Sequence, residues 1–149
     1  MDAATVVSIH RVEKKGGPAV ALLEVKVLTD RGLEGDYRSR KGRGRQITII
    51  EEEALEQVAG ILKMPPIPAG ASRRQVVVRG IRLNETVGKR LRIGELLIDV
   101  HDLCDPCSNM EKTIGPDACR AMKLRGGICG RVIEGGMIRP GDAISVEEM

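Results

Sequence analysis

RRQVVVRGIRLNETVGKRLRIGELLIDV, residues 73–100, decides the fold class. Its two ends, RQVVVRG and RLRIGELLIDV, are short runs of β-branched and aliphatic residues, and the glycine-containing TVGKR between them is a turn signal. Outward from this core the pattern repeats. In AVALLEVKVLTD, Leu23, Val25 and Val27 fall on one side and Glu24 and Lys26 on the other. RQITII and DAISVEE read the same way and TVVSIHRV less cleanly, with KKGGP, TDRG and RPGD as further punctuation. One segment differs: in EEEALEQVAGILKM, Leu55, Val58, Ala59 and Leu62 form a helical stripe, Glu51, Glu52 and Glu53 suit a helix N-terminus, and the prolines of KMPPIPAG stop it. A shorter helix is expected to begin at Pro116, run through DACRAMK and end at Gly126 and Gly127. So many strands with one or two flanking helices predict a β-rich domain: a closed or nearly closed antiparallel β-barrel, since closure removes exposed sheet edges.

The chain has 149 residues, 42% apolar and 30% charged, which predicts one globular domain over 1–149. It lacks Trp and Phe, and Tyr37 is its single aromatic ring. Proteins that bind single-stranded nucleic acid stack bases on aromatic side chains, so this composition argues against nucleic acid as a partner. The net charge of +3 suits a small anionic ligand better than a polyanion. No apolar run reaches membrane-spanning length, and the N-terminus has no signal-peptide pattern; both point to the cytoplasm. In that reducing compartment four cysteines do not predict a disulfide framework.

Two groups of residues carry candidate chemistry. The glycine-punctuated loop GLEGDYRSRKGRGRQITII concentrates Arg38, Arg40, Lys41, Arg43 and Arg45 within eight residues. Arginine forks match phosphate oxygens, although a solvated loop is an equal reading of the same residues, and no P-loop spacing occurs. The cysteines are Cys104, Cys107, Cys119 and Cys129. A C-x2-C pair with two single cysteines leaves a zinc site open as the alternative, within a structural or partner module that catalyses nothing. Cys129 lies in an apolar, glycine-rich segment and reads as buried; Cys119 reads as packing. Cys107 follows Pro106 and precedes Ser108 and Asn109, which reads as facing a pocket or solvent. His10 and His101 read as surface or hydrogen-bonded residues, and no Ser-His-Asp or H-E-x-x-H pattern is present.

Five stretches, in order and spacing, resemble the MOSC domain, named for the C-terminal domain of molybdenum cofactor sulfurases. They are GLEGDYR (32–38), GRQITIIEEEAL (44–55), the opening stretch 73–100, CDPCSNM (104–110) and GGICGRVIEGGMIRPGD (126–142). The resemblance implies a β-barrel and a site for the molybdenum cofactor, a pyranopterin with a terminal phosphate and a metal-binding dithiolene. It makes Cys107 the cysteine that either ligates molybdenum or carries sulfur for cofactor sulfuration. An enzyme of this type is a molybdenum-dependent reductase of N-hydroxylated compounds or a sulfur transferase. A separate sulfur donor or electron-transfer protein would serve it, with molybdoenzymes as recipients. The resemblance gives the cationic loop, through Arg43 and Arg45, a phosphate to hold, and adds Arg73, Arg74 and Asn84 as cofactor-binding positions. Gln75 stands where the family usually has asparagine.

Overall fold

A computed structural model describes residues 3–106 and 109–147. Among them the chain forms eleven strands and three α-helices. Eight strands make one sheet in the order β11 (Ile144–Glu147), β7 (Arg90–Ile93), β8 (Leu96–Leu103), β9 (Ile128–Glu134), β5 (Ile47–Glu51), β6 (Val76–Arg79), β1 (Thr5–Val12) and β2 (Ala19–Leu22). A smaller sheet holds β10 (Gly136–Ile138), β3 (Val25–Leu28) and β4 (Gly32–Leu33).

The opening stretch of sequence supplies β6, β7 and most of β8, with the β7–β8 hairpin turning at Gly94 and Glu95 between the paired Ile93 and Leu96. The expected closed barrel is not what forms: neither sheet is closed. β2 covers the outer edge of β1 only from Ile9 to Val12. The start of β1 instead meets residues 141–144 through backbone hydrogen bonds and one isolated bridge, Thr5 to Ala143, and no ladder joins β11 to β1. Nor is the sheet wholly antiparallel. β5 and β6 run parallel because a helix separates them, and a connection of that length allows the chain to return in the same direction.

That helix is α1 (Glu52–Leu62), with Glu52 and Glu53 in its first turn and a left-handed Lys63 closing it before the prolines. Ala54, Leu55, Val58 and Ala59 are its buried face, and Leu62 is half-buried. α1 packs on β5 and β6, which explains why VVV and ITII are nearly continuous apolar runs. Ile49, Val76 and Val78 face one core, while Ile50 and Val77 face the helices. The second core also takes Met110 from α2 (Asn109–Thr113), a helix the sequence did not signal, and Ala118, Ala121 and Met122 at α3 (Ala118–Ala121). α3 is shorter than the helix expected from Pro116 onward. No helix among the described residues is long and apolar enough to cross a membrane.

Candidate functional site

The site grows from one buried acid. Asp36, in the loop after β4, is 4% exposed and accepts from the Val12 amide at 3.0 Å and from the Arg38 amide, Nε and Nη2 at 2.9, 2.9 and 2.8 Å. Burial alone would raise its pKa; the hydrogen bonds from Arg38, from the Gln75 side chain and from the two amides outweigh that and hold it below the ordinary carboxylate value. Asp36 therefore stays charged and fixes Arg38, whose Nη1 donates to the Arg73 carbonyl at 2.8 Å. Gln75 is bound in the same frame: its Oε1 accepts from the Thr48 amide, and its own amide donates to the Thr48 hydroxyl, both at 3.0 Å. Gln75 thus joins β5, the approach to β6 and Asp36.

Arg73 and Arg74 are adjacent, yet they point to different work. A 3-10 turn over Ala69–Ser72 ends with Arg73 in a left-handed conformation (φ 62°). Arg73 Nη1 then donates to the Gly17 carbonyl in the β1–β2 turn at 2.9 Å. Arg74 turns inward, is 2% exposed, and donates from Nε to the Gly126 carbonyl at 2.7 Å and from Nη2 to the Asp105 carbonyl at 3.0 Å. It thereby holds the chain two residues ahead of Cys107. Gly127 makes the opposing approach possible: its φ is +86°, and a Cβ there would meet the Ile49 carbonyl.

Beside this frame opens a pocket of about 330 Å³, with Arg40, Arg43 and Arg45 from the loop and Arg73 and Arg74 among its lining. The loop lies close to β8 at Gly44, where any side chain would run into the His101 imidazole. Among the described residues, the side chains of Arg40, Arg43 and Arg45 have no carboxylate partner. The acid nearest the loop's base is already committed: Asp30 Oδ1 accepts from Gln46 Nε2 at 2.9 Å and from Arg131 Nη2 at 2.8 Å. Some arginines elsewhere are paired, as Arg92 is with Glu134 and Glu147 and Arg139 with Glu24. Guanidinium groups without carboxylate partners, gathered in one concavity, give it a positive potential and free donors.

The thiols lie at the end of β8. Cys104, just past its last residue, donates its amide to the Gly127 carbonyl at 2.8 Å, and Cys129 pairs with Asp102 across the β8–β9 ladder. Both side chains are buried and neither is in a disulfide. The hydrogen bond from Cys129 first, and the charges of Arg74 and Arg45 after it, overcome burial and pull the Cys104 pKa from the ordinary 9.0 to about 6. The same interaction and burial push the Cys129 thiol up, and Cys129 Sγ donates to the Asp102 carbonyl at 3.7 Å.

Of the residues singled out from sequence, Arg43, Arg45, Arg73 and Arg74 come together in this pocket. Asn84 does not line it; it sits in the 3-10 turn Leu83–Thr86 and donates to the Leu124 carbonyl at 3.0 Å. Cys107 lies outside the described residues. Among the described residues no group of three or more His, Cys, Asp and Glu side chains could hold a metal, so the zinc alternative finds no ligand set there. Sequence reasoning marked Gln75 only as a departure from the family pattern, and it missed Asp36 and the depressed pKa of Cys104. The GD of GLEGDYR and the first cysteine of C-x2-C were the available signals.

The family model for the MOSC domain matches residues 36–145, from the buried Asp36 past the β9 cysteine. The chain belongs to the MOSC domain family. Among solved structures, this MOSC protein is similar to the YuaD protein from Bacillus subtilis, with 19% identity and a TM-score of 0.87 over 99% of this chain and 97% of that one. It is also similar to YiiM from Geobacillus stearothermophilus, with 21% identity and a TM-score of 0.79 over 97% of this chain and 75% of that one. YiiM from Escherichia coli has 22% identity and a TM-score of 0.71 over 97% and 70% of the two chains. At these identities the likeness is one of fold. Among curated proteins none matches the chain.

Proposed function

We propose that this MOSC domain binds the molybdenum cofactor, with the arginine pocket holding the cofactor's terminal phosphate and Cys107 acting as the thiolate that ligates molybdenum or carries sulfur. The observation that carries this reading is the convergence of Arg40, Arg43 and Arg45, without carboxylate partners among the described residues, on one pocket beside the buried Arg74. The donor set fits a phosphate: guanidinium groups give paired hydrogen bonds to its oxygens, and among the described residues no Asp or Glu lines the pocket to repel it. The cofactor, when bound, supplies redox and atom-transfer chemistry at its metal.

The chain's own residues position and charge the site. Asp36 neutralises Arg38 where it lines the pocket, and Arg38 in turn fixes the Arg73 carbonyl. Arg74 anchors Asp105 and so sets where the chain enters CDPC. Cys104, held toward its thiolate first by Cys129 and then by Arg74 and Arg45, adds negative charge that those cations balance. In this reading a separate sulfur-donor or electron-transfer protein completes the reaction, as for a sulfur carrier or a reductase of N-hydroxylated compounds.

The test is elemental and fluorescent. Protein purified from a host that makes the cofactor is expected to carry molybdenum and pterin fluorescence, and Cys107→Ser is expected to lose molybdenum. Repeated wild-type preparations free of both would overturn the reading; stoichiometric zinc in their place would favour a structural metal.

A further inference from the structure

The arginine pocket does not end at Arg73. A second cavity of about 430 Å³ adjoins it, and Tyr37 and Arg73 line both. The remaining lining of the second cavity includes Lys15 in the β1–β2 turn and Lys112 in α2. Arg73 spans the junction: its guanidinium is tied to the Gly17 carbonyl near Lys15, while its backbone carbonyl is held by Arg38. Among the described residues neither cavity has an Asp or Glu in its lining, whereas the pocket under α1 has Glu52 and Glu56. Among the described residues, neither Lys15 nor Lys112 is paired with a carboxylate.

Charge counting separates the two ends. A terminal phosphate monoester carries roughly 1.5 to 2 negative charges near neutral pH. Arg40, Arg43 and Arg45 already exceed that at the first end, so one phosphate leaves Lys15 and Lys112 without a counter-charge. Between the two ends stands Tyr37, the chain's single aromatic ring, half-buried, with the Arg38 guanidinium carbon 5.9 Å from the ring centroid. Aromatic rings in cationic grooves stack the planar bases of phosphorylated ligands.

We propose that the joined groove takes a nucleotide bearing two anionic groups, one among Arg40, Arg43 and Arg45 and the other between Lys15 and Lys112, with its heteroaromatic ring against Tyr37. This rests on reading the arginine pocket as a phosphate site, so that the nucleotide and the cofactor compete for Arg40, Arg43 and Arg45.

Calorimetric titration of the full chain with inorganic phosphate, adenosine 5′-monophosphate and adenosine 3′,5′-bisphosphate tests it. In the wild type the bisphosphate is expected to bind about tenfold tighter than the monophosphate, the gain of one more charge-assisted contact. In Lys15→Ala/Lys112→Ala that advantage is expected to vanish, with monophosphate affinity changed less than about twofold. Both lysines are on the surface, and an unchanged melting temperature verifies folding. Equal wild-type affinities for the two nucleotides, or an advantage that survives the lysine changes, would overturn the inference while leaving the phosphate reading intact. Binding of all three probes that is absent, or indifferent to Arg43→Ala/Arg45→Ala, would instead remove the phosphate reading and the inference with it.

Discussion

Arg74 is the buried cation around which the Cys104 end of the site is organised. Truncation to alanine leaves the Gly126 and Asp105 carbonyls without this donor and removes a charge that favours the Cys104 thiolate. Urea denaturation of Arg74→Ala is expected to show a loss of roughly 2 to 5 kcal/mol, as for a buried hydrogen-bonded network deprived of its donor. A loss below about 0.5 kcal/mol, the usual scale of a surface change, would contradict that role. Cys104 adds a dependence on pH. Its folded pKa lies near 6, below the ordinary 9.0, so its ionisation favours the folded state. That stabilisation is present above about pH 9 and is lost as pH falls through 6. Between those values the melting temperature of the wild type is expected to rise relative to Cys104→Ser; parallel curves would contradict it. Arg43 and Arg45 were legible because arginines crowded among glycines have few local uses. Their neighbour Arg74 gave no such signal. Its inward turn depends on the left-handed Arg73 before it, a conformation that local sequence does not dictate for arginine.

At the scale of elements, α1 was readable from its stripe, its acidic first turn and the prolines beyond it. The parallel β5–β6 pair was not read, although a helix between two strands is its usual cause. Period-two alternation also failed at Val76, Val77 and Val78, because the sheet is buried on both faces there. The helical layer is the part with least redundancy. Met122, fully buried, closes the second core where α3 meets α1. Met122→Ala is expected to cost about 2 to 5 kcal/mol in denaturant midpoint analysis, the range for a truncated core methionine. A cost under about 1 kcal/mol would mean that the layer repacks freely.

At the scale of the molecule, a net charge of only +3 conceals a local concentration: among the described residues Arg40, Arg43 and Arg45, without carboxylate partners, line one pocket. Composition pointed to a small anion as ligand, and the five-part resemblance pointed to the MOSC domain family; neither could show that Arg73 and Arg74 meet the loop while Asn84 does not. The barrel expectation rested on strand number, but the short β2 and the separate three-stranded sheet leave the main sheet open. Whether the arginine pocket anchors the cofactor's phosphate is tested most directly by molybdenum and pterin content per chain in Arg43→Ala/Arg45→Ala beside wild type. Charge-assisted hydrogen bonds contribute roughly 1.5 to 3 kcal/mol each, so both contents are expected to fall sharply. The melting temperature is expected to stay unchanged, since both side chains are exposed and carry little stability. Unchanged cofactor content in a folded double variant would contradict the claim.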